Sequence, residues 1–475
     1  MNSPIPVNHK TFIIFFRIFL TFCVRGKPAI LEKIFKLREN GTTFQTEIIA
    51  GTTTFLSMAY IIFVQPAVLS LAGMDFNSVM MATCLSSAVA CLVMAFVANY
   101  PIALAPGMGE NFYFVFTVVL GMGIAWETAL GAVFISGMIF LVLTFLRVRE
   151  MIIDALPNSL KNAIPAAIGI FITFIGFVQA GIVIKDPGGG IVRLGNLHAR
   201  PTILSIIGLF IILFFMIKKV RGALLLGMFL TALIGLFMGI VEFKGIVSAP
   251  PSISPTFLKL DIPGAFQMGL ITVLAIFLLM DMFDTIGTLI GVGQATGIMK
   301  DGTLPRAKRA LFADAVGTVS GALFGTSTVT SYIESTTGVR EGGRTGLTAV
   351  TVALLMLLAM FFSPLVSMIG GGFPVTGADG TLLYTLYPVT APALILVGSF
   401  MAKTIIRCEW DDLTEAIPAF MTIVGMALTY NISHGLAFGF ILYPVMKLMA
   451  GRGKEVSWLF YIIGALFLLR YVYIG

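Results

Sequence analysis

The chain has 475 residues, of which 58% are hydrophobic and only 11% carry a charge. A soluble globular protein has about a quarter of its residues charged, so this composition excludes a soluble protein and indicates a polytopic membrane protein. The net charge of +7 does not indicate nucleic-acid binding, because the Lys and Arg residues fall in short clusters between apolar runs. Cytoplasmic loops of membrane proteins carry such clusters.

The first 30 residues contain one apolar stretch, 11–24, which is interrupted by Arg17. It is too short to cross a membrane, because a spanning helix needs about 20 mostly apolar residues. A cleaved signal peptide would need small residues at its cleavage site, and residues 26–28 (Gly-Lys-Pro) are a poor match. We therefore predict that residues 1–30 are an extension outside the membrane fold.

Beyond this extension, the apolar runs predict an all-α polytopic membrane protein with about 14 transmembrane helices. The predicted segments are 47–71, 77–98, 102–120, 125–146, 158–180, 201–217, 222–241, 264–293, 306–325, 327–338, 345–369, 384–402, 413–430 and 433–450. A last apolar stretch, 456–473, is either a fifteenth helix or a sign that the C-terminal part divides differently. Residues 181–200 are predicted to be a loop.

The positions of the Lys and Arg residues indicate the orientation of these segments. With a cytoplasmic N-terminus, the loops after even-numbered segments are basic, as the positive-inside rule requires. The 370–390 loop follows an odd-numbered segment and has no Lys or Arg, whereas the 181–200 loop is an exception with three. We predict a multi-pass protein of the cell membrane with its N-terminus in the cytoplasm.

Two segments have helix-breaking or small polar residues in their middle. The third contains residues 105–111 (APGMGEN), and the tenth contains residues 325–335 (GTSTVTSYIES). Broken helices occur in lipid only where protein or a cavity satisfies the backbone. Paired breaks in two halves of a chain mark the substrate site of transporters built from inverted repeats.

The spacing of these breaks supports an internal repeat. Glu334 lies 223 residues after Asn111, and the same offset places Asp284 opposite Ile61 in the first segment. An odd number of segments per repeat gives the two halves opposite orientations. We predict a first repeat over 31–241, a linker loop over 242–263 and a second repeat over 264–475, with half-helices at segments 3 and 10.

Five acidic residues fall inside apolar segments: Glu110, Asp281, Asp284, Asp314 and Glu334. A charged side chain at the membrane centre costs about 2.5–3.5 kcal/mol or more, so such residues are candidates for function. Asp281 and Asp284 are three residues apart and share one helix face. Neighbouring carboxylates that lack a basic partner repel each other when both are ionised, and a proton-coupled symporter uses such groups to bind protons.

Structural explanations compete with these functional ones. For Asp314 we favour a brace of the broken helix, while Asp281 could serve helix packing and Asn111 could satisfy the backbone of the break. Glu110 could face either the same cavity or a water-filled edge. Phe112 and Tyr332 are of a type that usually packs in the core, yet a flat heteroaromatic substrate would need an aromatic stack beside carboxylate acceptors.

The chain contains no pattern typical of a metal, cofactor or catalytic centre. Its four cysteines show no metal-ligand spacing, and its three histidines fall in the N-terminal tail or near predicted loops. We expect no metal, no cofactor and no enzymatic activity.

Several strings of the sequence are specific enough to carry a family resemblance. They are residues 40–43 (NGTT), 46–51 (TEIIAG), 105–109 (APGMG), 281–288 (DMFDTIGT) and 330–338 (TSYIESTTG). With these strings, in this order, the chain from about residue 31 onward resembles the nucleobase–cation symporter-2 (nucleobase–ascorbate transporter) superfamily. Within it, the chain resembles the hypoxanthine/guanine/adenine permease branch.

The resemblance implies fourteen helices in two inverted seven-helix repeats, divided into a core and a gate domain. It places the substrate between the half-helices of segments 3 and 10. The implied substrate contacts are Asp284 or Asp281, Glu334 and Asn111, and the family's ninth-segment aspartate corresponds to Asp314.

The sequence departs from the family pattern at two positions. The wider family has His or Asp four residues after the acid of the eighth segment, where this chain has Thr288, so Asp281 is a candidate for the missing titratable group. The purine branch has an apolar residue where this chain has Glu110. The candidates for proton coupling are therefore Asp281, Asp284, Asp314 and Glu110.

We accordingly expect import of a purine nucleobase by proton symport with alternating access. The alternatives are a carrier of the same fold for xanthine, uracil or a small anion, and an intramembrane aspartyl protease using Asp281 with Asp314. The protease alternative lacks the Gly-x-Gly-Asp string of that class, and the acids disfavour an anionic substrate. Which purine is carried, whether H⁺ or Na⁺ is coupled, and whether the protein is a homodimer are left open by the sequence.

Overall fold

The structure, a computed structural model of the chain, describes residues 28–146, 156–186, 189–266, 271–296, 299, 304–376 and 381–473. Most of the predicted extension, including the apolar stretch 11–24, lies outside the described residues. The first described element, a short helix, begins at Pro28.

The first half of the chain forms ten helices and three short strands within the described residues. They are α1 Pro28–Phe35, α2 Phe44–Met58, α3 Ile61–Leu69, α4 Phe76–Val93, β1 Leu104–Pro106, α5 Met108–Phe112, α6 Leu120–Met122, α7 Trp126–Leu146, α8 Asn158–Gln179, β2 Val183–Lys185, β3 Val192–Leu194, α9 Arg200–Ile217 and α10 Ala223–Phe237. Two π-helical stretches complete the third and second segments: Tyr113–Val119 joins α5 to α6, and Met94–Ala98 extends α4.

The second half begins with a 3₁₀ turn at Gly264–Phe266. Within the described residues its α-helices and strands are α11 Ile271–Thr296, α12 Ala307–Phe324, β4 Val329–Ser331, α13 Ser335–Arg340, α14 Gly346–Ala359, α15 Ser363–Gly370, β5 Phe373–Thr376, β6 Leu382–Leu386, α16 Ala391–Ala402, α17 Leu413–Leu428, α18 Ile432–Met449 and α19 Trp458–Tyr473. In both halves the third segment is a short strand followed by a short helix.

Local sequence signals explain several helix ends and one bend. Thr43 caps α2 by accepting from the Thr46 N–H, and Asp75 caps α4 by accepting from the Ser78 N–H. The predicted first segment bends between α2 and α3 at Tyr60. Pro66 lacks an N–H for the Ile62 carbonyl, so the preceding turn loses one helical hydrogen bond.

The helices form two groups. In one group α14 packs on α2 and α4, and α12 packs on α4 and α7. In the other group α8 packs on α16 and α17, α17 packs on α18, and α9 packs on α10. We call the first group the core domain and the second the gate domain; the segments with the candidate acids, α11 to α13 and β1 to α5, belong to the core domain.

Two glycines allow a very close approach inside the gate domain. A Cβ atom added at Gly169 of α8 would overlap the backbone of Gly398 of α16, and a Cβ at Gly398 would overlap the Gly169 carbonyl. Small residues let membrane helices pack by backbone contact, which replaces the missing hydrophobic drive in lipid. The α8–α16 contact therefore depends on both residues being glycine.

Eight helices in the described part of the chain are long and apolar enough to cross a membrane, and further apolar helices are shorter. Some predicted boundaries differ from the structure. The eighth segment was predicted from residue 264, where the structure has a 3₁₀ turn, Gly264–Phe266. The twelfth was predicted from 384, but Leu382–Leu386 is a strand and α16 begins at Ala391. Pro388 and Pro392 lie just before and inside the first turn of α16, where proline favours a helix start over continuation.

Two predicted loops contain hairpins. In the 181–200 loop β2 pairs antiparallel with β3, and in the 370–390 loop β5 pairs antiparallel with β6. Residues 456–473 form a separate fifteenth helix, α19, which packs on α18 through contacts of Phe460 and Phe467 with Phe440. Of the two explanations for that stretch, the structure therefore has the additional helix.

Candidate functional site

The breaks of segments 3 and 10 lie against each other. Strand β1 pairs antiparallel with β4, with Ala105 opposite Thr330. The Gly107 N–H donates to the Thr328 carbonyl at 2.9 Å, and the Tyr332 N–H donates to the Ala103 carbonyl at 2.9 Å. The two broken segments thus satisfy each other's freed backbone groups, as a break within a membrane requires.

Asp284 and Glu334, the two acids expected to contact substrate, lie close to this pair of strands. The Thr330 hydroxyl donates to Asp284 Oδ2 at 3.0 Å, and the Tyr60 hydroxyl donates to Glu334 Oε1 at 2.8 Å. Both acids are partly exposed, and each lies within electrostatic range of the other. The structure thus brings the two carboxylates into one region that retains some access.

Asp281 and Asp314 are placed differently, in a reciprocal pair of hydrogen bonds between α11 and α12. Thr318 of α12 donates to Asp281 Oδ2 at 3.2 Å, and Thr285 of α11 donates to Asp314 Oδ1 at 2.5 Å. Both aspartates are fully buried. Asp281 and Asp284 share a helix face, and Asp284 accepts directly from Thr330 of strand β4.

Asn111 is buried and takes part in a polar network. Its Nδ2 donates to Gln65 Oε1 at 2.5 Å, and Gln65 Nε2 donates in turn to Thr326 and Ser327, both at 2.9 Å. The network joins α3, the third segment and the start of the tenth. Asn111 Oδ1 has no hydrogen-bond partner among the described residues, so it can still accept a donor.

Glu110 is also buried, with 1% of its surface exposed. Its side chain folds back toward the break, so a Cβ added at Gly107 would collide with Glu110 Oε2. Glu110 lies within electrostatic range of Asp284 and Asp314. The alternative that it faces an open, water-filled edge does not agree with this burial.

The two aromatic candidates are packed against the protein. Phe112 is fully buried and stacks on Phe116, with ring centroids 5.7 Å apart and an interplanar angle of 9°. The Tyr332 hydroxyl donates to the Pro106 carbonyl at 2.6 Å, which ties the tenth segment to the break of the third. Both side chains are buried in this conformation.

Three residues at this site were not identified from the sequence: Tyr60, Gln65 and Thr330. Tyr60 is adjacent to Ile61, the residue that the repeat offset places opposite Asp284, so the offset itself was a signal. Gln65 is a polar residue inside the apolar run IIFVQPAVL. The sequence does not single out Thr330, because the tenth segment contains several other Ser and Thr residues that could equally well face the site.

The chemistry available at this site is hydrogen bonding and proton exchange. Asp284 and Glu334 each accept one hydroxyl and keep further acceptor sites. None of the ion pairs found in the described ranges includes Asp284, Glu334 or Glu110. Such a site suits an uncharged ligand that presents N–H donors.

Comparison with known proteins connects the chain to a family. The family model described as "Permease family" matches residues 45–438. An adenine permease of Escherichia coli (strain K12) is 44% identical over 446 residues, which cover 94% of this chain and 96% of that protein. A guanine/hypoxanthine permease of Bacillus subtilis (strain 168) is 44% identical over 445 residues, which cover 92% of this chain and 99% of that protein.

A solved structure confirms the fold class. The transmembrane domain of a cyanobacterial bicarbonate transporter superimposes with a TM-score of 0.60 at 16% identity, covering 83% of this chain and 97% of that one. The predicted fold, two inverted repeats of seven helices with core and gate domains, is therefore confirmed.

The family match also decides between the classes of function considered from the sequence. Its members are permeases, so the protein is a multi-pass membrane transporter and not an intramembrane protease or another enzyme. The resemblance seen in the sequence strings is confirmed by the match over most of the chain and by the identities above. The chain therefore belongs to the permease family of nucleobase–ascorbate transporters, in the branch that contains the adenine and guanine/hypoxanthine permeases.

Proposed function

We propose that this chain imports a purine nucleobase (hypoxanthine, guanine or adenine) together with protons. The relatives support the substrate class, since one is an adenine permease and another is a guanine/hypoxanthine permease. The observation that carries the proposal is that Asp284 and Glu334, two partly exposed acidic residues, lie close together where the two broken segments meet. Purines present ring N–H groups in one plane, which carboxylate oxygens accept.

The proposed substrate contacts are Asp284, Glu334 and Asn111. Asp284 and Glu334 accept ring N–H groups, and Asn111 Oδ1 supplies a third acceptor from the opposite break. Asp281 lies one helical turn from Asp284 on the same face of α11, where Thr318 donates to it. Phe112 and Tyr332 shape the site from the third and tenth segments.

The proposed coupling ion is H⁺ rather than Na⁺, and the candidate proton carriers are Asp281, Asp284, Asp314 and Glu110. Carboxylates can exchange protons, and these four lie close together around α11. We further propose that the core domain carries the substrate past the gate domain, so that the site opens alternately to the two sides of the membrane. In this arrangement the chain lies in the cell membrane with its N-terminus in the cytoplasm.

The proposed domain boundaries follow the two repeats, 31–241 and 264–475, with the linker 242–263 between them. The structure describes neither a helix nor a strand within 242–263, and this linker is hydrogen-bonded to neighbouring elements. The Asp261 N–H donates to the Glu127 carbonyl, and the Leu258 N–H donates to the Leu323 carbonyl, each at 2.9 Å. Such backbone bonds to both repeats suit a connector between them.

Uptake by expressing cells tests the proposed function. Radiolabelled hypoxanthine, guanine, adenine, uracil and xanthine are supplied one at a time, with and without a protonophore. We expect uptake of at least one purine that the protonophore abolishes. Absence of uptake for every nucleobase would refute the proposal, while uptake that needs Na⁺ and ignores the protonophore would refute proton coupling.

Substitutions of the two acids test the proposed site. Asp284→Asn and Glu334→Gln keep the size of each side chain and remove the carboxylate, so each variant should lose uptake while reaching the membrane in normal amounts. Asp186→Asn is the matched control, because Asp186 lies in the β2–β3 loop. Normal uptake by either site variant would contradict the role of that acid.

A further inference from the structure

Glu110 differs from the other four acids of the site. Each of those accepts a hydrogen bond from a Thr or Tyr hydroxyl, and among the described residues no such hydroxyl donates to Glu110. It is 1% exposed, and its Oε2 atom has no hydrogen-bond partner among the residues that the structure describes. A buried carboxylate oxygen without a partner makes the ionised form costly, whereas the neutral acid can be buried at much lower cost. The position therefore suits a carboxyl group that binds and releases a proton.

Other titratable groups lie around Glu110. Elements α3, α8 and α11 pack on α5. The titratable groups that act on or are acted on by Glu110 are Asp284 of α11, Asp314 of α12 and Tyr332 after β4. From α3 and α8 the neighbours of α5 are Gln65, which binds Asn111, and Ile168, which approaches Gly109; neither of them titrates.

Thr330 connects Glu110 with the substrate-contacting acid. Its hydroxyl donates to Asp284 Oδ2 at 3.0 Å. Its methyl group lies on the same side of Gly107 as the Glu110 carboxyl, 3.1 Å from where a Cβ of residue 107 would be. Only Thr330 separates the two acids here, so a change of charge on Glu110 changes the electrostatic potential at Asp284.

We propose that Glu110 is the binding site of the coupled proton, separate from the acids that contact the substrate. The inference rests on the proposed function. With a proton on Glu110, Asp284 can stay ionised and accept a ring N–H; without it, two carboxylates repel each other within the same buried region. Proton binding at Glu110 and substrate binding at Asp284 thus favour each other, which is the linkage that a symporter needs.

The direction of the cycle follows from this linkage. The proton arrives from water on the outer side, binds the Glu110 carboxylate and raises the affinity of the site for substrate. After the site opens to the cytoplasm, the proton leaves to water, the charge on Glu110 returns, and the substrate is released. The purine and the proton cross together, and no covalent bond of the purine is made or broken.

Purified protein in liposomes tests the proposal with Glu110→Gln, which mimics the protonated acid. Two measurements are made: exchange of labelled for unlabelled purine at equal pH, and accumulation driven by a pH gradient. One pH unit can drive about tenfold accumulation when one proton is coupled. We expect the wild type and the Glu127→Gln control to reach about that ratio, and Glu110→Gln to exchange purine but reach a ratio of about one.

The two liposome measurements distinguish failure of this inference from failure of the proposed function. If the wild type exchanges purine but Glu110→Gln still accumulates it like the wild type, the inference is wrong and the proposed function stands. If folded Glu110→Gln loses exchange as well, Glu110 belongs to the substrate site and the inference is also wrong. If the wild type exchanges no nucleobase, the proposed function fails, and this inference fails with it.

A measurement on the wild type alone covers the case in which the variant does not fold. Purine binding is measured by calorimetry in buffers of different ionisation enthalpy, at the pH of half-maximal uptake, which gives the number of protons taken up on binding. We expect proton uptake when the substrate binds. Binding without any proton uptake would overturn the linkage between the two sites.

Discussion

Tyr60 is the residue whose role in the site is easiest to isolate. Its hydroxyl donates to Glu334 Oε1 at 2.8 Å. A hydrogen bond to a charged group contributes about 1.5–3 kcal/mol, and about 1.4 kcal/mol corresponds to a factor of ten in affinity. We predict that Tyr60→Phe raises the KM for purine uptake about tenfold or more, because Glu334 is no longer held in place, with little change in the amount of protein in the membrane.

A matched control exists on the β5–β6 hairpin. Tyr384 is 46% exposed, so Tyr384→Phe removes the same hydroxyl outside the site and should leave the KM unchanged. Saturation curves for the wild type and both variants make the comparison. An unchanged KM in Tyr60→Phe would mean that Glu334 does not depend on this donor.

Glu47 shows a structural use of a buried acid. Its carboxylate accepts from the N–H groups of Arg344, Thr345 and Thr348 at 2.8, 3.2 and 3.1 Å, and from the Thr348 hydroxyl at 2.6 Å. It thereby caps the start of α14 from α2. Because each buried donor left without a partner costs about 1–3 kcal/mol, Glu47→Ala should lower the unfolding temperature in detergent markedly, whereas Glu39→Ala on the exposed loop should not.

The sequence identifies the acidic residues of the site, but it does not identify the residues that hydrogen-bond to them. Asp284 and Glu334 stand out because a charge inside an apolar run is costly and rarely accidental. Tyr60 and Thr330 do not stand out, since tyrosine and threonine are common in membrane helices at little cost. Glu47 lies at the end of its apolar segment, where an acid needs no special explanation, so its burial under α14 was not predictable from its position.

Ion pairs hold together the ends of α17 and α18, outside the candidate site. Arg452 donates to Asp412 at 2.6 Å and to Glu455 at 2.8 Å, and Lys447 forms a pair with Glu455 at 3.1 Å. Hydrogen bonds from Thr414, then Arg452, hold the pKa of Asp412 well below its usual range. Arg452, then Lys447, lower the pKa of Glu455. A group whose pKa is lowered by folding stabilises the folded state only while it is ionised.

These shifts predict a pH dependence. Arg452→Gln should lower the unfolding temperature by a few degrees at neutral pH, since the pairs are exposed and contribute modestly. The difference from the wild type should stay constant above about pH 5. It should shrink as the pH falls below about 4, where the two acids protonate in the unfolded chain, and disappear as the pH falls through their lower folded-state pKa values. Thermal unfolding in detergent across that range checks this, with Arg193→Gln on the β2–β3 hairpin as the control. A difference that grows on acidification would contradict it.

At the element scale, the apolar runs predicted nearly all of the helices but not the short strands. Strands β1 and β4 have three residues each, and they exist because the two breaks pair with each other. The pairing joins residues more than 200 positions apart, so no local pattern could show it. The start of α16 was predicted too early, because hydropathy measures how apolar a stretch is and carries no information on where a proline ends one element and begins the next.

At the scale of the whole molecule, the inverted repeat was predictable because it leaves two separate marks in the sequence. One is the alternation of basic loops, which counts the segments. The other is the equal spacing of two breaks, which aligns the halves. The division into core and gate domains came from family resemblance alone, since it depends on which helices pack together.

The two domains contact each other through the turn between α17 and α18. The Ile432 N–H donates to the Thr117 hydroxyl at 3.3 Å, and the Tyr430 and Phe116 rings lie 5.4 Å apart, edge to face. If the core domain moves past the gate domain during transport, this contact must break once in each cycle. The proposed mechanism therefore predicts that joining the two sides here stops transport.

A cleavable thiol crosslinker tests this. In a background without native cysteines, the double variant Thr117→Cys with Ile432→Cys should lose purine uptake after crosslinking and recover it when the crosslink is reduced. Each single variant, treated in the same way, should keep its uptake. Because crosslinking stops movement without removing Asp284 or Glu334, the crosslinked protein should still bind purine from whichever side its site then faces. Undiminished uptake by fully crosslinked protein would show that the two domains do not separate at this contact.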